Sequence, residues 1–124
     1  MKIFILEDDK NRIEWFMDEF NGNNITWIDN AYEAKPIILF EKFDIIFLDH
    51  DLGGKIYQDS KEENCGFQIA KIINDGVNLT TPIIIHSLNY PAAQNMKNEI
   101  KINHKAQTET IPFNVLTKKV IKYE

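Results

Sequence analysis

Cysteine, clustered cations and long apolar runs are what this chain has least of. One cysteine, Cys65, among 124 residues rules out a disulfide framework and leaves no thiolate set for a zinc cage. A lone thiol fits a reducing, cytoplasmic setting, and no basic neighbour marks Cys65 as an activated nucleophile. Lys and Arg number 14 against 19 Asp and Glu, a net charge of -5, so DNA is not an expected partner. Lys118, Lys119 and Lys122 read instead as cations on the last turns of a helix, where they suit its dipole. The apolar runs reach only about strand length, which argues against a membrane span or a signal peptide. What remains is ordinary globular material, 44% hydrophobic and 27% charged, without repeats or a linker. A single domain over residues 1–124 with a real core is expected.

Strand-like runs lie at Lys2–Leu6, Ile25–Ile28, Asp44–Leu48, Pro82–His86 and Thr108–Pro112, and helical patterns separate them. Ile13, Phe16, Met17 and Phe20 form one apolar face of a helix opened by Asp8 or Asp9. A second pattern spans Asn30–Lys42, where Pro36 predicts a kink or a late start. Phe67, Ile69, Ala70 and Ile73 mark a third helix, stopped by Gly76. Pro91 suits the first position of a fourth, which carries Ala93, Met96 and Ile100. Asn114 is read as the cap of a fifth, with Leu116, Val120 and Ile121 inward. Strict alternation with apolar central strands predicts an α/β fold: a flavodoxin-like (βα)5 three-layer sandwich, parallel, in order 2-1-3-4-5.

In that order the first and third strands are neighbours, and both run straight into acids. Ile3–Leu6 ends in Glu7-Asp8-Asp9, and Ile45–Leu48 ends in Asp49-His50-Asp51 followed by Gly53-Gly54. One acid would suffice to cap a helix, so Asp9 is assigned that role. Glu7, Asp8 and Asp49 are read as an oxygen-rich site for Mg²⁺ or Mn²⁺. The Gly pair is no phosphate-binding Walker loop, since no Gly-Lys-Ser/Thr follows.

At these residues the chain resembles a response-regulator receiver domain over essentially its whole length. Glu7-Asp8 matches the acidic pair, Asp49 in DIIFLDHDL the phosphoacceptor, and Ser87 the hydroxyl residue ending the fourth strand. The resemblance implies Mg²⁺ held by the acidic pair and the acceptor, with the backbone carbonyl of Asp51. It breaks at the fifth strand, where Ile111 before Pro112 stands in place of the receiver lysine that balances the phosphoryl charge. It also breaks at an insertion of about 55–65. The strings LDHDLGG and IHSLNYP are most similar to the divergent branch described as cyclic-phosphate-processing receiver domains of prokaryotic conflict systems.

Asp49, His50 and Asp51 are candidate catalytic groups, with His50 or Asp51 positioning water or protonating a leaving oxygen. For His50 the competing role is packing under a helix. Ser87, Asn89 and His86 are candidate phosphate ligands. Asn89 also has a strong structural alternative as a turn or cap, and His86 as a buried, satisfied histidine. Tyr57 and Tyr90 would rim the site. The expected function is an Mg²⁺-dependent pocket that binds or hydrolyses a cyclic phosphate, a cyclic nucleotide among the candidates, so a metal-dependent phosphoesterase is within scope. The alternative is an atypical receiver, phosphorylated on Asp49 and signalling through a protein partner. A receiver-shaped interaction module with a vestigial site is less favoured, because unneutralised pocket carboxylates repel one another.

Overall fold

The computed structural model describes residues 1–118. Five strands, β1 (Lys2–Leu6), β2 (Asn24–Ile28), β3 (Ile45–Leu48), β4 (Ile83–Ile85) and β5 (Thr108–Thr110), form one parallel sheet in the order 2-1-3-4-5. The crossovers are α1 (Lys10–Glu19), α2 (Ala31–Phe40), α3 (Phe67–Ile72) with a 3-10 turn at Ile73–Asp75, and α4 (Tyr90–Lys101). A short α5 (Phe113–Leu116) follows β5. Among the described residues, no helix is long and apolar enough to cross a membrane.

Side chains alternate along each strand and so divide the core into two layers. Phe4, Leu6, Ile46, Leu48, Ile83 and Ile85 pack under α2, α3 and α4. Ile3, Ile5, Ile45, Phe47 and Ile84 pack with Phe16 of α1 and Leu116 of α5. β3 and residues Ile3–Leu6 of β1 are buried, whereas β2 is an edge with Trp27 partly exposed.

The helix starts differ from the sequence reading in two places. Pro36 neither delays nor ends α2, which starts directly after its cap, Asn30. Pro36 and Tyr32, whose carbonyl loses its partner to the proline, both lie on the exposed side, where water can replace the bond. In α5 the cap position is Pro112, and Asn114 lies inside the helix. Lys118 follows the end of α5, and Val120, Ile121, Lys119 and Lys122 lie outside the described residues.

Candidate functional site

Two-residue alternation, continued one step past each strand, decides which polar side chains meet. Ile3 and Ile5 are followed on their face by Glu7, Ile45 and Phe47 by Asp49, and Ile84 by His86. Leu6 pairs with Leu48 and Leu48 with Ile85, so these three residues sit side by side at the C-terminal edge. Their ligand atoms lie within 4.8 Å of one another, and all three residues are buried.

His86 Nε2 is 2.9 Å from Glu7 Oε1, while the buried Nδ1 has no partner among the described residues. The ring packs edge-on against Phe16. Glu7 Oε2 accepts from the backbone N–H groups of Asp8 and Asp9, both at 3.0 Å. Asp49 Oδ1 accepts from the His50 N–H at 2.8 Å.

Burial pushes Glu7 up to about 7, against the opposing pull of the Asp9 N–H and Arg12. Burial likewise pushes Asp49 up to about 7, with the charge on Glu7 adding to the rise. It pushes His86 down to about 4. Burial thus drives all three donors toward their neutral forms, and together they offer two carboxylates and an imidazole lone pair at one point. Such a set fits a divalent cation: the carboxylates suit Mg²⁺ or Mn²⁺, and the imidazole favours the transition metal.

Asp8 is not part of this trio. Its Oδ2 accepts from the Gly54 N–H at 2.6 Å, because the chain has by then left the strand toward α1, capped by Asp9. Gly53 and Gly54 turn the chain there with φ of 70° and 75°, a region that favours glycine.

In front of the trio opens a cavity of about 520 Å³ whose polar lining includes Asp8, Arg12, Asp49, Asp51, Ser87 and Asn89. Glu7, His50 and His86 lie behind this lining. Arg12 carries a role the sequence reading missed. Its Nη1 is 3.6 Å from Asp49 Oδ2 and 3.8 Å from Glu7 Oε1, and its guanidinium lies over the Phe113 ring at 5.4 Å. The available signal was its place three residues past the Asp9 cap, which turns it back toward the strand ends. Ile111, meanwhile, is buried with Ile84, Phe16 and Leu116. The cation beside the acids thus comes from α1 rather than from β5.

His50 and Asp51 form a brace. The buried His50 ring joins Asp51 Oδ1 through Nδ1 at 2.7 Å and Ser60 Oγ through Nε2 at 2.9 Å. Asp51 also accepts from the N–H groups of Tyr57 and Gln58 and from Asn89 Nδ2. Partial burial would raise the Asp51 carboxyl, but hydrogen bonds led by that from His50 outweigh it and hold it below the usual range. A carboxylate so engaged is a weak base. It ties the insertion to β3.

Asn89 caps α4, accepting from Ala92 N–H at 3.4 Å, and Ser87 Oγ accepts from Asn89 N–H at 3.1 Å. Cys65 is buried, with its thiol near Ser60 O. Gly66 is required by close approach: a Cβ there would lie 1.8 Å from Asp49 O.

Solved structures share the fold. The N-terminal domain of a response regulator/sensory box/GGDEF protein from Carboxydothermus hydrogenoformans is 20% identical, with 95% of this chain and 89% of that one covered and a TM-score of 0.61. A Francisella response-regulator receiver domain is 25% identical, with 94% and 90% covered and a TM-score of 0.59. A Burkholderia pseudomallei response regulator, solved with a phosphorylated aspartic acid, a calcium ion and citrate, is 19% identical, with 95% and 64% covered and a TM-score of 0.58. No curated protein matches. Residues 1–102 match the family described as the cyclic-phosphate processing receiver domain, and the chain belongs to that family.

Proposed function

We propose that this receiver domain binds a cyclic phosphate in the cavity before Asp49 and opens it with water, assisted by a divalent cation. The observation that carries the reading is the replacement of the β5 lysine by Ile111 together with Arg12 aimed at Asp49 from α1. That pairing keeps a fixed cation at the pocket and leaves out the group through which the resemblance couples phosphorylation to signalling.

Glu7, Asp49 and His86 would hold the cation, which supplies Lewis-acid polarisation of a phosphoryl oxygen. The guanidinium of Arg12 binds the anionic phosphate oxygens, with Phe113 fixing its plane. Ser87 Oγ accepts from the backbone, so its own hydrogen is free to donate into the cavity. Asp49 Oδ2, facing Arg12, takes the proton of the attacking water. The water oxygen forms the new P–O bond, one ring P–O bond breaks, and the leaving oxygen takes a proton from solvent. His50 and Asp51 act as positioning residues for Asn89 and the insertion, not as proton carriers.

Calorimetric titration with a nucleoside 2′,3′-cyclic phosphate in the presence of Mn²⁺ tests the reading. Arg12→Gln is expected to weaken binding roughly tenfold or more, since a charge-assisted contact is lost. Equal affinities in the parent and Arg12→Gln would remove Arg12 from the site.

The second reading, a receiver phosphorylated on Asp49, is favoured by the placement of that carboxylate on the cavity wall beside a cation. The Burkholderia neighbour carries a phosphorylated aspartic acid. Mass spectrometry after incubation with acetyl phosphate separates the two.

A further inference from the structure

Phosphate chemistry accounts for only part of the cavity lining. The insertion and the β4–α4 turn add the apolar side chains of Ile56, Tyr57 and Leu88, with Lys55 beside them. Ile56 is 82% exposed and Tyr57 78% exposed. Single exposed apolar residues are common, but these two are adjacent and line the same cavity as Asp49.

The backbone that presents them is held against its own preference. Tyr57 has φ of 51°, in the left-handed region that a bulky side chain rarely adopts. Asp51 Oδ2 captures its N–H at 2.8 Å, and Asp51 Oδ1 takes the N–H of Gln58 at 3.1 Å. The Gln58 side chain then bonds Leu52 N–H and Asn64 O, and His50 locks Asp51 and Ser60 from behind. Six polar contacts therefore fix a segment whose outward product is an exposed aromatic and an exposed isoleucine beside the pocket. A volume of about 520 Å³ lies within the range of organic-ligand sites, and a lone phosphate would leave most of it empty.

We infer that this wall receives a planar aromatic group carried by the phosphoester, with Tyr57 stacking on its face and Ile56 and Leu88 closing its edges. The insertion is then the specificity element of the pocket. This rests on the cyclic-phosphate reading above. An aromatic occupant is favoured over an aliphatic one because a tyrosine face gains most from a second flat ring.

The test compares two probes in Mn²⁺ that differ only in the aromatic group: adenosine 2′,3′-cyclic phosphate and methyl riboside 2′,3′-cyclic phosphate. Adenosine alone serves as a third arm, separating a site for the ring from one that needs the phosphate. The parent is expected to bind the base-bearing phosphate roughly 5- to 150-fold more tightly than the methyl riboside, the span of one base–aromatic stack. Tyr57→Phe should keep that preference, and Tyr57→Ala and Ile56→Ala should reduce it. All variants should bind the methyl riboside as the parent does. Equal affinity of the parent for the two phosphates, or a preference retained in Tyr57→Ala, overturns the wall and leaves the cyclic-phosphate reading standing. Failure of the parent to bind either phosphate overturns both.

Discussion

Raising the pH should weaken the metal-free protein and strengthen its hold on a divalent cation, and the size of both effects follows from the buried trio. Glu7 rises from 4.5 to about 7 and Asp49 from 3.8 to about 7. Each keeps its proton in the folded chain after the unfolded chain has lost it. Their contribution to stability is therefore full below about pH 4 and is lost as pH rises through about 7. His86, lowered from 6.5 to about 4, works in the opposite sense: its contribution is present above 6.5 and lost as pH falls through 4. Between those limits the folded chain holds two extra protons on the acids and lacks one on His86. The net is one proton, a slope of about 1.4 kcal/mol per pH unit. From about pH 4.5 to 7.5 the loss is on the order of 4 kcal/mol, or roughly 10 °C or more in melting temperature. A cation needs both carboxylates ionised, so its affinity should climb about tenfold per acid, roughly 100-fold in all, between about pH 6 and pH 8. Thermal melts in EDTA and in Mn²⁺ across that range read both effects. Asp49→Asn should melt higher than the parent at about pH 8 in EDTA and gain nothing from Mn²⁺, because the costly buried charge and the ligand leave together. An EDTA melting temperature that is flat or rising over this window would refute the reasoning.

Gly66→Ala should cost roughly 2–4 kcal/mol in denaturant titrations, since its methyl would meet Asp49 O at 1.8 Å and the main chain under the acid must move; a change within about 0.5 kcal/mol contradicts the packing. Asp51→Asn should speed amide exchange at Tyr57 and Gln58 and cost about 1–3 kcal/mol, because an amide cannot accept at both oxygens as Asp51 does. Unchanged exchange in that segment would show that Asp51 does not brace the insertion. Acetyl phosphate with Mg²⁺ should label Asp49 poorly in the parent, as the added dianion would sit beside Glu7 with Ile111 in place of the β5 lysine. Stoichiometric labelling with a shift in β4 and α4 favours the relay reading.

The sheet was legible because β1, β3 and β4 are short apolar runs ending in polar residues, and such runs separated by helical patterns leave few topologies. The acids Glu7 and Asp49 were legible for the same reason. His86 was read as a phosphate ligand or a buried, satisfied histidine; counting alternation from Ile84 and aligning Leu48 with Ile85 places it beside them. The bracing contacts of His50 and Asp51 were not legible, because their partners, Ser60, Tyr57 and Gln58, lie in an insertion without regular structure whose path no periodicity encodes. Arg12 was hidden among ordinary polar residues of α1, since only the folded helix turns it over Phe113 toward the acids.

The most direct measurement is phosphorus NMR of a nucleoside 2′,3′-cyclic phosphate incubated with the protein and Mn²⁺, with the metal removed before acquisition. The cyclic resonance is expected to be replaced by that of a ring-opened monoester in the parent, and to persist with EDTA or in Asp49→Asn. A cyclic phosphate left intact by the parent at every pH and metal tried, beside stoichiometric phosphorylation of Asp49 by acetyl phosphate, would contradict the account.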